Sequence, residues 1–532
     1  MKRYNRLLHF AMNSRNLHRN SLHNRTGTRA EAQGSPIIQS IPICSSDSKT
    51  KSRRLRDACN LLGEVYNEFA QESSIHGIKY TGRNKSIAER VLWLFLIILS
   101  VMAAGVLAQK FYYRHKQANM RTLVVSNQYP TWKIPLPAIT ICHPTVASTS
   151  RLNKYISEGH KLEMPPGLEW NWFLNDLQYL QELYIPTNYS QDAMLRLDRI
   201  IAYNNLTITE FMRIVSPSCN DYIVLCEAQG EITPCSHYLK NFNTAYGPCC
   251  SANYARVFTE QKSSEQEYYS PNFGQSYIFS VILKTYGPND RISGLTYGDG
   301  VRVLIHDRHT YPGSSAREFL ASQKSEVIAF IRGRKLTASP EVLALSQRER
   351  DCRVSGVKND IYRQDNCLAN CHEMMFRSDC NCVPFYASIV KANDTICNFT
   401  HVLCMSRVRG RILRTPFRGY PCYCLPDCSG TSYPLTTTHV HMNALQYNPS
   451  KFYRIAAKYS NATVIHVTFA RQTATLMRRD LVLSWINLVS SLGGVFSLFL
   501  GCSFISVVEV LYFITYYISK VIERRSTYLP QT

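Results

Sequence analysis

The sequence predicts an α+β membrane protein in which two transmembrane helices flank one large, disulfide-rich ectodomain. Three observations carry this. Two uncharged apolar stretches of membrane length lie toward the ends of the 532-residue chain. Sixteen of the nineteen cysteines fall between them. The same interval holds apolar strand patterns interrupted by helical ones.

The first stretch, residues 91 to 108, is eighteen residues without a charge, about 27 Å as a helix and enough to cross the hydrocarbon core. The first span is placed at residues 91–109. Only short apolar clusters precede it, so no cleaved signal peptide is expected and this span also serves as the anchor. Residues 1–90 hold sixteen Lys or Arg against seven Asp or Glu. Beyond the second stretch Lys520, Arg524 and Arg525 face only Glu523. The positive-inside rule then makes residues 1–90 and 519–532 cytoplasmic tails of a two-span plasma-membrane protein, with residues 110–477 outside. An oxidising exterior agrees with the cysteines and with acceptor sequons at Asn188, Asn205, Asn393, Asn398 and Asn461. The net charge of +22 divides as +9 in the first tail, +2 in the last and +11 between. Topology explains the basic tails, and a disulfide-rich ectodomain does not meet nucleic acid, so no nucleic-acid partner is expected.

Residues 1 to about 60 are rich in Ser, Asn and Arg without apolar period and read as unstructured tail. Leu62, Val65, Tyr66 and Phe69 then take helical spacing. Strands are expected at residues 136–142 (LPAITIC), 276–283, 301–306 (VRVLIH) and 462–469 (ATVIHVTF). The first and last of these are expected to lead directly to the two membrane helices. Ser339, Pro340 and Glu341 supply a helix cap, first position and first-turn acid.

Ten cysteines from Cys352 to Cys428 crowd into 77 residues. Their spacings include C-x3-C and C-x-C but never C-x2-C, which argues for disulfides over a zinc module. Cys367 and Cys371 lie one turn apart on one helix face and could clip to a returning segment carrying Cys422 and Cys424. Enzyme signatures fail. The run from His372 through Glu373 has Phe376 where a zinc protease needs its second His, and there is no nucleophile elbow or phosphate loop. His306 and His466 sit within strand patterns and read as packed residues, not ligands. No catalytic residue, metal or cofactor is expected.

The second stretch, placed as a span at residues 481–518, is uncharged until Glu509. Asn487, Ser490, Gly494, Ser497 and Gly501 recur along it at steps of three or four, on one helical face. Such a stripe faces protein or water, either as a close-packing face of the small-xxx-small kind or as a pore lining.

Together, His76-Gly77, LPAITIC ending at Cys142, the cysteine run and Gly501-Cys502-Ser503 resemble the degenerin/epithelial sodium channel (DEG/ENaC) family over about residues 60 to 520. Most specific is Tyr362 followed by Cys367, Cys371, Cys380 and Cys382, a C-x3-C-x8-C-x-C spacing similar to the family signature, although Asp365 and Glu373 depart from its usual residues. SSIHGIKY, then Glu89, Arg90 and Trp93, and CYCLPDC at Cys422 to Cys428 look like the insect pickpocket branch.

The resemblance implies a homo- or heterotrimer with related channel subunits, each with a β palm, finger, knuckle and a helical thumb at about residues 340–430. It implies disulfides Cys352–Cys428, Cys367–Cys424, Cys371–Cys422, Cys380–Cys404, Cys382–Cys397, Cys226–Cys235 and Cys142–Cys249, which leaves Cys219 and Cys250 for each other. The family's G-x-S belt, its selectivity filter, falls on Gly501, Cys502 and Ser503, where the helix typically breaks. The position whose enlargement holds family channels open falls on Ser490. Ser491 replaces a common outer acid, and Glu509 matches the acid beyond the belt. Glu509 is expected to face water or a neighbouring subunit, because a lone intramembrane acid is otherwise costly. His76-Gly77 matches the cytoplasmic gating motif, displacing its reading as a simple turn.

The resulting expectation is a pore-forming subunit of a sodium-permeable, amiloride-sensitive, voltage-independent cation channel gated through its ectodomain, with Na+ as cargo and the bilayer as partner. Clustered carboxylates of the proton-gated kind are not expected in a net basic ectodomain. An auxiliary subunit that does not conduct, a two-span lipid or scavenger receptor, and a nucleotide-gated two-span trimer share the topology. The receptor would not need the stripe or the G-x-S belt, and the nucleotide-gated trimer matches neither the thumb cysteines nor LPAITIC.

Overall fold

The computed structural model describes residues 49–117, 120–185, 190–257, 268–285, 287–313, 315–355, 361–388, 390, 391, 393–414, 422–443 and 450–526. Asn188, Cys44 and the outer parts of both tails lie outside these residues. The chain divides into two units, one built from Met1–Ser100 with Leu500–Thr532, the other from Val101–Phe499.

In the first unit, helix α1 (Lys49–Glu72) starts inside the segment expected as unstructured tail, which is a correction. Its Leu61 and Val65, four apart, are buried, and Phe69 meets Phe513 edge to face at 5.3 Å. Apolar spacing and a partner surface therefore override the polar composition of its first turns. A single 3-10 turn (Ile78–Thr81) follows, held to α1 by a 2.6 Å hydrogen bond between the Tyr66 and Thr81 hydroxyls. Tyr80 then stacks on Trp93 at 4.5 Å. Trp93 belongs to α2 (Ile87–Lys116), thirty residues or about 45 Å long, whose final turn carries Arg114, His115 and Lys116.

The second unit is built on two facing sheets. The five-stranded sheet has the order Arg317–Ser322, β4 (Gly300–His306), β2 (Ala138–Cys142), Gly247–Ala252 and Leu239–Thr244. The six-stranded sheet runs Leu435–His441, β5 (Ser325–Ile331), β7 (Ala462–Phe469), β3 (Phe279–Lys284), Ile223–Ala228 and Glu231–Thr233. Alternate residues of each, among them Ile139, Ile141, Val303, Val281, Val327 and Ile465, meet in one core. The other face of β3 and β7 is covered by the helix Lys451–Ala456 through Phe452 and Ala456. Burial on both faces explains why these strands read as continuous apolar runs.

A third, four-stranded sheet corrects the expectation about the membrane connections. Its order is β1 (Met120–Pro130), β8 (Thr473–Leu481), β6 (Arg334–Ala338) and Gly430–Ser432. The strands at 138–142 and 462–469 do not lead directly to the apolar helices; β1 and β8 intervene and pair antiparallel from Met120↔Leu481 to Pro130↔Thr473. Their signal was weak because β1 shifts register twice, so burial recurs every third residue, and β8 carries Arg478, Arg479 and Asp480.

Cystine chemistry ties the rest together. In α3 (Gln364–Cys380), Cys367 and Cys371 bond to Cys424 and Cys422 on the returning segment. Cys380 bonds to Cys404 on α4 (Val402–Arg414), Cys382 to Cys397, and Cys352 to Cys428. Cys142–Cys249 joins registered neighbours of one sheet, with Cys219–Cys250 and Cys226–Cys235 beside it. Among the sequons described, Asn205 and Asn393 are exposed and Asn398 and Asn461 half-buried.

Near the carboxyl end the chain forms α5 (Trp485–Leu500) and α6 (Phe504–Ser526). The break lies where the belt was expected, at residues 501–503; α5 starts later than residue 481 because β8 extends to Leu481, and α6 runs past residue 518. By length and composition α2 and the Phe504–Glu523 part of α6 can each cross a membrane; α5 is apolar but shorter.

Candidate functional site

The second apolar segment breaks at Gly501, Cys502 and Ser503, and the reason is local. Gly501 has φ +64°, the left-handed region that ends a helix, and Ser503 begins the next one as its cap. The Ser506 amide donates to the Ser503 hydroxyl at 3.3 Å, and the Ser503 amide donates back to the Ser506 hydroxyl at 3.0 Å. A helix that stops leaves carbonyls without intrahelical donors. One of them, Leu500 C=O, accepts the His76 N–H at 2.8 Å.

That hydrogen bond brings the His76-Gly77 loop onto the break. Gly77 has φ +86°, and a side chain there would meet Ile97 at 3.1 Å and Trp93 at 3.3 Å. A Cβ on Gly501 would come within 2.6 Å of the His76 ring. Both glycines are therefore required by a close approach as well as by a positive φ.

Two residues that sequence reading missed complete the contact. Ser74 donates to Glu509 Oε2 from its amide at 3.0 Å and from its hydroxyl at 2.9 Å. Its hydroxyl also lies 2.6 Å from that of Ser506, which is buried. The Glu509 carboxylate thus has a donor within the same chain, 435 residues away in sequence. Serines are common, and only the neighbouring His-Gly pair could have drawn attention to Ser74.

The stripe divides. Asn487, Ser490, Gly494 and Ser497 lie on an exposed face of α5, with Leu488 and Val495 buried on its other side. Gly501 falls beyond the helix and leaves the stripe for the break. Cys502 keeps a free, half-buried thiol.

Elsewhere polar groups serve the fold. His306 is buried with Nε2 accepting from Thr140 at 2.9 Å and Nδ1 donating to Asp307 C=O at 3.0 Å. Glu373, of the protease-like run, is buried and accepts the Ser388 N–H. Among the described residues no group of acids, cysteines and histidines is arranged to hold a metal.

An apolar segment interrupted by three non-helical residues and hydrogen-bonded there to a loop of the same chain is an arrangement that suits a membrane protein. The sequence profile described as amiloride-sensitive sodium channel matches residues 69–513, so the chain belongs to that family, the DEG/ENaC family of ion channels, which are not enzymes. The chain is 29% identical over 483 residues to sodium channel protein Nach of Drosophila melanogaster, covering 86% of this chain and 88% of that protein. Pickpocket protein 11 of the same species is 23% identical, covering 85% and 75%. The human bile acid-sensitive ion channel is 23% identical, covering 89% of each. These relatives place the chain in the insect pickpocket branch and make it a membrane protein.

Proposed function

We propose that the chain is a pore-forming subunit of a sodium-permeable, amiloride-sensitive, voltage-independent cation channel of the plasma membrane. The observation that carries this is the break at Gly501–Cys502–Ser503 with the His76-Gly77 loop hydrogen-bonded to it. Non-helical backbone at membrane depth is tolerated only where it is buried in protein or lines a water-filled path, and carbonyl oxygens there suit a cation shedding its hydration shell. In this reading both termini are cytoplasmic and the disulfide-rich region is extracellular. Three related subunits turn the exposed Asn487, Ser490, Gly494 and Ser497 face toward a common axis. Opening begins in the extracellular region and reaches the helices through β1 and β8. Na+ is the cargo and no cofactor takes part.

A second reading, an auxiliary subunit that does not conduct alone, is favoured by two residues: Cys502 stands at the centre of the belt, and Ser491, in the first half of α5, is neutral. A lipid or scavenger receptor has no use for the break or its loop.

The test is expression of Ser490→Val in a voltage-clamped cell, under sodium and then potassium, with and without amiloride. A side chain that wedges the α5 face open is expected to give a constitutive, amiloride-sensitive, sodium-selective current. Silence with confirmed surface expression refutes autonomous conduction and leaves the auxiliary subunit.

A further inference from the structure

Four polar groups of the loop and of the start of α6 form one chain of hydrogen bonds with a fixed direction. The Ser74 hydroxyl donates to Glu509 Oε2 at 2.9 Å. The Ser74 oxygen can then only accept from Ser506, at 2.6 Å. The Ser506 oxygen in turn takes the Ser503 N–H at 3.0 Å. Each link runs toward the carboxylate, and each bond polarises the next. Two consequences follow. Glu509 is held in one place by two donors of Ser74 instead of sampling several rotamers. In addition, an amide N–H of the belt, a group that repels a cation, is turned inward and consumed.

We propose that Ser74 is a positioning residue for ion selection. It fixes the Glu509 carboxylate and, through Ser506, ties that charge to the backbone of Ser503. This rests on the reading of residues 501–503 as the ion-selecting belt. Ser74 lies outside the His-Gly pair and on neither apolar segment, so the selectivity of the belt is set in part by the chain that precedes the first span.

The experiment uses the full chain carrying Ser490→Val and adds Ser74→Ala, Ser74→Thr, Glu509→Gln, and Ser74→Ala with Glu509→Gln. The readout is the shift in reversal potential when external sodium is replaced by potassium, which a loss of folding or trafficking does not move. Ser74→Ala is expected to lower the sodium-to-potassium permeability ratio by about three- to tenfold, the range for the net worth of a typical hydrogen bond. Ser74→Thr, which keeps the hydroxyl, restores the parent value. The double variant shifts no further than Glu509→Gln alone, because Ser74 acts through that carboxylate. An unchanged reversal potential in Ser74→Ala, whatever the current amplitude, overturns the proposal, as does additivity in the double variant. If the Ser490→Val parent reaches the surface and carries no current, the channel reading fails separately. The tie is then judged by thermal unfolding of the same variants purified in lipid nanodiscs, where non-additive shifts uphold the contact and additive shifts overturn it.

Discussion

At the scale of single residues, one glycine and two histidines make the sharpest statements. Gly77→Ala puts a side chain at φ +86° against Ile97 and Trp93, a strain of roughly 1–3 kcal/mol. It is expected to reduce current through a Ser490→Val channel about tenfold or more at unchanged surface level, measured by voltage clamp with surface labelling. Burial holds the imidazole of His306 down to about 4 and, with help from Arg291, that of His143 down to about 3. An imidazole depressed in the folded state contributes stability that is present above its unfolded value of about 6.5 and is lost as pH falls toward the folded value. Asp427, pushed up to about 6 by burial, acts in the opposite sense: the folded state takes up its proton first and gains as pH falls below 6. From pH 7 to pH 5 the two histidines outweigh the aspartate by on the order of 2 kcal/mol. The thermal midpoint of the purified protein is therefore expected to fall over that window, and His306→Gln to flatten most of the fall. An acid-stable wild-type protein contradicts the assignment.

The cystine ladder shows how elements cooperate. Cys371 and Cys422 are 51 residues apart in sequence, a span that in isolation is worth about 4 kcal/mol of loop closure. With Cys367–Cys424 intact, however, the chain is already closed one turn away and the effective loop is only a few residues. Removing the pair with Cys371→Ala and Cys422→Ala is expected to lower stability by about 2 kcal/mol. Removing both rungs is expected to lower it by more than the sum of the two separately determined losses, read as the shift in unfolding midpoint. Legibility also belongs to this scale. β2, β3, β4 and β7 could be read to within a few residues, because strands buried on one or both faces must be written in apolar residues. β1 and β8 could not, since one shifts register twice and the other carries three consecutive charged residues, Arg478, Arg479 and Asp480. The start of α1 was hidden by its basic first turns. In the belt, Gly501, Ser503 and the His76-Gly77 pair were visible as motifs. Their meeting was not, because nothing local in either segment encodes a contact across more than four hundred residues. Ser506 left no trace for the same reason, and Ser74 showed only as one letter of the SSIHGIKY run.

For the whole molecule, topology is the first quantity to test. If the region between the apolar helices is extracellular, the exposed Asn205 and Asn393 carry glycans, and Asn205→Gln and Asn393→Gln each remove one glycosidase-sensitive step in electrophoretic mobility. Absence of any such step places the region on the other side of the membrane. Assembly is tested by cross-linking in the membrane, where a three-copy ladder is expected and a monomer contradicts the proposed common axis. The antiparallel pairing of β1 with β8 carries a mechanical consequence. Their paired ends, Met120↔Leu481 and Arg121↔Asp480, are the ends nearest α2 and α5. A force that draws these two helices apart sideways loads the ladder like a zipper, one rung at a time from Met120 inward. A force along the strands loads all rungs at once in shear. The ladder therefore yields stepwise to sideways strain and stands rigid under axial strain, so the direction of a tug, more than its size, decides whether the two helices part.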